Sequence, residues 1–365
     1  MRKVILVLLA MAFFTLATKV SALESENYTW ETHTFSEFGA STGYATNRIN
    51  DRYLILRTTA SPYYLLYDYV NQTTAVIPQP PGEISTFHSV DIDESGNILQ
   101  KASWWDNDEF ICKTYLYNIG TAAHTLLKVN APGNRATDVF ALSEDGRISA
   151  TDHPWYQTPA DSFPVMTTIL DMGTNYQLDS VYMQPTGIGG KYVSGSYYRT
   201  DGQYLTGQHK GFIYDVSDPN SIVSLEEFLD PDGTNLYFRT QNEDHWVGGW
   251  GGGGAFIYKI DSGIYEYIEM PAVCVSEVRI WGLSDNSNVS GWCTDSSSVK
   301  HFFIGHYTES PLTLPLEKAI TAAKATLGTG DTVEVSVTLT VDATPVERSV
   351  TAEMNSGGHL IIRNN

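Results

Sequence analysis

The stretch "GLSDNSNVSGW", residues 282–292, reads as an apolar residue, a short polar turn, and a second strand ending in Val-x-Gly-aromatic. It has five relatives: "RINDRYLIL" (48–56), "DIDESGNIL" (91–99), "ALSEDGRIS" (141–149), "GIGGKYVSG" (187–195) and "TQNEDHWVGGW" (240–250). The residues just before the turns are Ile49, Ile92, Leu142, Ile188, Thr240 and Leu283, at spacings of 43, 50, 46, 52 and 43. A period of this size marks propeller blades, solenoids or arrays.

What fills each period selects among these. After the second strand comes a polar loop, then a third strand rich in aromatic and β-branched residues, such as "YYLLYDYV", "GFIYDV" or "AFIYKI". A fourth follows, such as "TTAVIPQ", "HTLLKV" or "IYEYIEM". Alternation with Tyr, Val, Ile and Thr between Gly, Asn, Asp and Pro is the strand signal. Four short strands per repeat make a propeller blade. The expected fold is all-β: a six-bladed β-propeller of four-stranded blades over residues 23–316. "NYTWETHTF" (27–35) has no blade of its own and is expected to close the ring as the outer strand of the last blade. "PLTLPL" (311–316), its competitor, carries two prolines. Beyond it the texture changes. "LEKAITAAKATLG" reads as a helix, and "DTVEVSVTLTV" and "VERSVTAEM" as a hairpin, so residues 317–365 are expected to form a small C-terminal α+β appendage.

The repeated unit resembles the HAF repeat of bacterial extracellular proteins, whose core is similar to Ile-Asn-x-x-Gly-x-Val-Val-Gly. Ile49-Asn50-Asp51, Gly96, Gly249 and Gly291 carry the resemblance. It implies a secreted repeat protein of propeller type and brings no shared catalytic residues.

The N-terminus agrees with export. Arg2 and Lys3 precede an apolar run, and Val20-Ser21-Ala22 offers a cleavage site, so residues 1–22 read as a signal peptide. No later segment has the roughly 20 apolar residues of a membrane span. The expected location is secreted or periplasmic. The formal charge is −20, and cleavage leaves 19 cations against 42 acids, or −23. Such a chain repels phosphate backbones, which argues against nucleic acid as a partner. There are three cysteines. Cys274 and Cys293 flank the opening motif and form the expected disulfide, with Cys112 left over. The sequons at Asn27, Asn71 and Asn288 matter only in a glycosylating host.

The catalytic and metal motifs mostly dissolve into turns. "DIDESGNILQKA" (91–102) imitates a calcium loop, but Ala102 stands where the bidentate glutamate belongs. Its Asp, Ser and Gly suit turn geometry. "DPDGTN" (230–235) reads as an inter-blade turn, and no cofactor is expected beyond calcium at such a site. "GGWGGGG" (248–254) lacks the Lys-Ser/Thr of a phosphate loop. "SEDGRISA" fails as a sialidase Asp box, and no Gly-x-Ser-x-Gly elbow occurs. Asp106/Asp108 and Glu226/Glu227 read as solvated loop acids, and His153 and His245 sit near loops.

One pattern points to binding. The second strand repeatedly ends in rings: Trp104-Trp105, Trp155-Tyr156, Tyr197-Tyr198, Trp250 and Trp292, with Tyr63-Tyr64 in the first repeat. Gathered at one mouth, with Asp106, Asp152 and His153 beside them, they would stack on sugars or on a partner's apolar side chains. The competing use of such rings is packing between blades. The expected function is a binding or interaction module for carbohydrate or an extracellular protein. The alternative is an extracellular hydrolase or lyase with a central, calcium-assisted site.

Overall fold

The computed structural model describes residues 5–9, 27–38, 48–58, 63–82, 86–106, 109–129, 135–154, 164–170, 175–179, 181–199, 209–215, 217, 222–224, 235–252, 254–308, 324–325, 327–341, 344–354 and 360–364. These build an all-β propeller of antiparallel sheets. The blade count differs from the expectation of six four-stranded blades. There are five four-stranded blades, and the first repeat forms a three-stranded sheet. That sheet comprises Tyr53–Arg57, Tyr64–Asp68 and Thr73–Val76. Its inner strand shrinks to the Ile49↔Leu54 bridge, which explains the shortfall.

The five blades follow in chain order. Their inner strands are Thr86–Ile92, Arg135–Leu142, Val181–Gly189, Tyr237–Gln241 and Ser276–Leu283. Their second strands are Asn97–Asp106, Ile148–Pro154, Tyr192–Arg199, Trp246–Gly251 and Val289–Thr294. In the last blade the fourth strand comes from the other end of the propeller. Tyr28–Thr34 pairs with Lys300–Tyr307, from Tyr28↔Tyr307 to Thr34↔His301. The ring therefore closes without a free edge in this blade, as expected from "NYTWETHTF".

Hydrophobic patterning follows from position in a blade. Middle strands are covered on both faces by neighbouring sheets, so Tyr64–Asp68 and Val289–Thr294 are buried throughout. Outer strands face water, and Val76, Leu126, Leu127 and Val129 are exposed. The cores lie between sheets. Leu54, Leu56, Leu65 and Tyr67 of the first sheet meet Trp292, Phe302 and Ile304 of the last blade. On its other side, Ile55, Tyr64 and Leu66 meet Ile92 and Ile98. Leu99 packs on Val139, Leu142 and Ile148. Ala255 and Ile257 pack on Ile280, Leu283, Val289 and Phe303. Each seam removes apolar area from water at about 25 cal/mol per Å², and together they hold the ring.

The Val-x-Gly-aromatic ending now has a cause. Each inner strand of the five blades carries a register shift before its turn, as between Ile280 and Gly282 or Phe238 and Thr240. Opposite these shifts sit Gly195, Gly249 and Gly291. A Cβ on Gly291 would lie 2.0 Å from Arg279 O and 2.5 Å from the Phe303 ring. On Gly249 it would lie 1.9 Å from Tyr237 O. The backbones approach too closely for any side chain.

Pairing also corrects one repeat position. Gln241, opposite Val247, is the counterpart of Leu283 opposite Val289 and Leu142 opposite Ile148. The residue before the fifth turn is thus Gln241, one place beyond Thr240.

The C-terminal strands Thr332–Val341 and Thr344–Met354 form the expected hairpin. Leu360–Asn364 joins it and pairs parallel with Ile264–Tyr267, extending the fourth blade outward. Ile5–Leu9, within the expected leader, pairs parallel with Glu334–Thr338. The expected helix over 316–328 lies mostly outside the described residues, as does "PLTLPL". Among the described residues no helix is long and apolar enough to cross a membrane. Cys274 and Cys293 form a disulfide, and Cys112 is buried outside it.

Candidate functional site: the central channel

The inner-strand turns meet at one mouth of the channel and repeat a three-residue logic. First comes the residue that ends the strand: Ile49, Ile92, Leu142, Ile188, Gln241 or Leu283. Next comes a side chain that caps its own turn. Asn50 Oδ1 accepts from the Tyr53 amide at 2.6 Å, and Asp93 Oδ1 from Asn97 at 2.7 Å. Ser143, Asn242 and Ser284 do the same for Arg147, Trp246 and Asn288. Asn, Asp and Ser recur here because their short oxygens mimic a backbone acceptor.

The third residue is acidic in five turns: Asp51, Glu94, Glu144, Glu243 and Asp285. The fourth repeat has Gly190 instead. These carboxylates link the turns in sequence. The Asp51 amide donates to Glu94 at 2.8 Å, Glu94 to Glu144 at 2.5 Å, and Glu144 to Glu243 at 3.0 Å. Gly190 also donates to Glu243, at 2.5 Å, so Glu243 reaches over the glycine turn. Glu243 donates to Asp285 at 3.0 Å, and Asn286 to Asp51 at 3.1 Å, which completes the circle. Crowding acids at a half-buried rim raises their pKa values. Burial, with lesser repulsion from neighbouring acids, pushes Glu94 and Glu144 up to about 7 and raises Asp285. The rim is a small polar cavity of about 30 Å³.

One to four residues back along the inner strands the character reverses. A chamber of about 270 Å³ is lined by Arg48, Lys101, Arg239, His88, Tyr64 and Trp281, among others. Arg48 and Lys101 are 7% and 9% exposed. Arg48 crosses the channel: its Nη2 donates to Phe140 O and Thr186 O at 3.3 and 3.0 Å. Its Nε stands 3.9 Å from Asp91. Burial lifts the Asp91 carboxyl to about 6 despite that arginine. Arg239 donates to Gln184 Oε1 at 3.0 Å and lies over the rings of Tyr237, Trp250 and Trp281, about 5 Å from each centroid. The Trp281 indole N–H is buried without an acceptor. His88 Nδ1 and Tyr64 Oη are 2.9 Å apart, and burial raises the Tyr64 phenol to about 12.

The residues expected at an aromatic mouth fare unequally. Pairings such as Trp250↔Tyr237, Tyr198↔Tyr182 and His153↔Ala136 place them at the strand ends opposite the acidic turns. Trp250 is half-buried and stacks on Tyr237 at 5.3 Å and near Trp281 at 5.2 Å. Trp104 is half-buried, with Lys113 Nζ 4.9 Å from its ring centroid. Trp292 is 7% exposed in the seam against the first sheet, so it packs the core and is closed to a ligand. Trp105, Asp106, Asp152, His153, Tyr197 and Tyr198 are placed on their strands by backbone pairing alone. Trp155, Tyr156, Asp108, Glu226, Glu227 and most of "DPDGTN" lie outside the described residues. His245 sits in a turn with its Nδ1 2.9 Å from Asp261. Asp91 and Asp93 act as strand and turn acceptors, which accounts for the calcium-loop imitation.

The chamber cations and the convergence of the rim acids are not apparent in the linear sequence. The rim had a detectable signal, an acid two places after the strand-ending residue in five turns. Arg48, Lys101 and Arg239 occupy three different repeat positions and had none.

No family model matches the chain, and no curated protein matches it. Solved propellers resemble it at low similarity. One is the β-propeller domain of the Trilobed protease from Pyrococcus furiosus, at 12% identity and TM-score 0.40, covering 74% of this chain and 84% of that one. Another is an oligogalacturonate lyase in complex with manganese, at 12% and 0.42, covering 73% and 77%. A third is TolB from Acinetobacter baumannii, at 14% and 0.39, covering 71% and 63%. The chain is a β-propeller, and none of these relatives carries a functional residue onto it.

Proposed function

We propose that this protein is a binding module whose channel chamber receives a small acidic ligand, in the first instance a carboxylated sugar. One observation carries the reading: a chain of net charge −20 gathers Arg48, Lys101 and Arg239 around one 270 Å³ chamber. Burying cations in the channel costs solvation, and an anion returns it with charge-assisted hydrogen bonds. Trp281 lines the chamber at the end of a half-buried ladder with Trp250 and Tyr237, and rings of this kind stack on sugars. The Trp281 N–H is a donor awaiting an acceptor. The volume suits one sugar unit rather than a long oligomer, just below the usual range of ligand pockets.

We place its work outside the cytoplasm. The leader-like N-terminus supports this, and so does the Cys274–Cys293 disulfide, since such bonds persist in oxidising compartments.

Calorimetric titration with a monomeric uronic acid, its neutral counterpart and an acidic peptide tests the reading. Binding of the acidic sugar alone, weakening as salt rises, is the expected result. Equal binding of the neutral sugar, or none of the acidic one, overturns it. The hydrolase or lyase alternative rests on the His88–Tyr64 pair, and product release in the same titration would favour it.

A further inference from the structure

The acidic rim presents a second chemistry, independent of the chamber. One carboxylate oxygen from each of Glu94, Glu144 and Asp285 lies within 4.8 Å of the others. That is the span of opposite oxygens around a cation held at about 2.4 Å. Acids crowd for many reasons, and here the amides of neighbouring turns already account for part of their charge.

Gln241 adds a separate observation. Five of the six strand-ending positions hold Ile or Leu, and these side chains line the rim cavity from below: Ile49, Ile92, Leu142, Ile188 and Leu283. The sixth is Gln241, lining the same cavity and 7% exposed. Its Nε2 is tied to Gly189 O at 2.9 Å and Tyr192 O at 3.1 Å. Its Oε1 is buried with no hydrogen-bond partner. A buried amide oxygen left without a donor is destabilising, and the other five positions avoid it with an apolar side chain. Gln241 lines the same cavity of about 30 Å³ as the three carboxylates, and an amide oxygen there is the kind of neutral ligand that a hard cation takes.

We infer that the rim binds one calcium ion, held by Glu94, Glu144 and Asp285, with the Gln241 amide oxygen as the fourth protein ligand and water completing the shell. An all-oxygen donor set disfavours zinc and copper, which prefer nitrogen and sulfur. Asp51, Glu243 and Asp93 are the other acids close by. The ion would also tie the first, second and fifth blades together at the axis, stiffening the closed ring.

The test uses the full chain after chelation. Thermal unfolding is followed with calcium chloride, magnesium chloride, or sodium chloride at equal ionic strength. Calcium at about 100 times its dissociation constant should raise the midpoint by about 3 °C or more, and sodium should not. Equilibrium dialysis with radiocalcium should find one equivalent. Glu144→Gln, isosteric at an exposed position, should abolish both effects. Gln241→Leu, which restores the residue type of the other repeats, should weaken calcium binding at least tenfold. Absence of bound calcium in wild type, a sodium effect equal to that of calcium, or full binding by Glu144→Gln overturns the inference. None of these readouts involves the chamber, so failure here leaves the acidic-sugar reading standing.

Discussion

The rim and the chamber face the same channel, yet they were assembled in opposite ways. Each rim acid sits two places after its strand-ending residue, in five of six turns, and each accepts an amide from a neighbouring turn. Repetition here reflects a recurring structural demand. The chamber cations come from unrelated repeat positions. Arg48 precedes the first strand-ending residue, Lys101 belongs to a second strand, and Arg239 stands two places before Gln241. No structural rule of the repeat calls for them. Where copies agree, the residue builds the ring, and where one copy departs, it is a candidate for function. Gln241 belongs to the second class although it sits among the first.

Breaking the repeat-encoded class should cost the most. Gly291→Ala places a methyl 2.0 Å from Arg279 O, where neither backbone nor Phe303 can retreat. We expect a loss of about 3 kcal/mol or more, seen as a lowered denaturation midpoint. An unchanged midpoint would refute the close-approach account of Val-x-Gly-aromatic. Removing the disulfide with Cys274→Ala and Cys293→Ala should follow closely. The pair closes a loop of sequence separation 19, and about 3 kcal/mol is expected from denaturant unfolding.

The single-copy class should separate function from stability. Arg239→Ala should weaken acidic-sugar binding about tenfold or more, roughly 1.4 kcal/mol, by loss of a charge-assisted contact. Its midpoint should fall less than that of Gly291→Ala. If stability falls further than binding, Arg239 is a packing residue and the contrast between the two classes fails.

The smallest effect concerns the closing strand, which is neither repeat nor channel. Glu31 on that strand accepts from Tyr67 at 2.8 Å and lies 2.5 Å from His33 and 3.3 Å from His306. Although burial opposes it, hydrogen bonds from His306, His33 and Tyr67 hold the Glu31 carboxyl well below the usual carboxylate range. The bond to Glu31 raises the His33 pKa above 6.5. A raised histidine stabilises fully below its unfolded pKa and loses that contribution as pH climbs through the folded value. A depressed glutamate stabilises above its unfolded pKa of about 4.3 and loses that contribution only in strong acid. Closure should therefore be firmest from about pH 5 to 6 and weaken on the alkaline side by about 1 kcal/mol or less. His33→Gln should lessen that alkaline limb in unfolding measured against pH, leaving the share of the rim acids, whose raised pKa values act in the same direction.

Much of the architecture was legible because it is local or repeated. The turn chemistry of Asn50, Asp93, Ser143, Asn242 and Ser284, the strand alternation and the spare strand at 28–34 all depend on near neighbours or on period. The cysteine pairing followed from proximity across one motif. Two readings failed for physical reasons. The first repeat lacks a full inner strand, and its pattern around Ile49 does not reveal that only one bridge forms. Thr240 and Gln241 are both polar, so the apolar-before-turn rule had nothing to grip, and only pairing with Val247 set the register.

By itself the sequence determined an acidic, all-β repeat chain with a strand to close its ring, since backbone propensity and periodicity act over short distances. Tertiary structure alone decided what the channel holds. Arg48, Lys101 and Arg239, like Glu94, Glu144 and Asp285, are scattered through the chain, and they become neighbours because ring closure brings every inner strand to one axis, with Lys101 carried in by its pairing with His88.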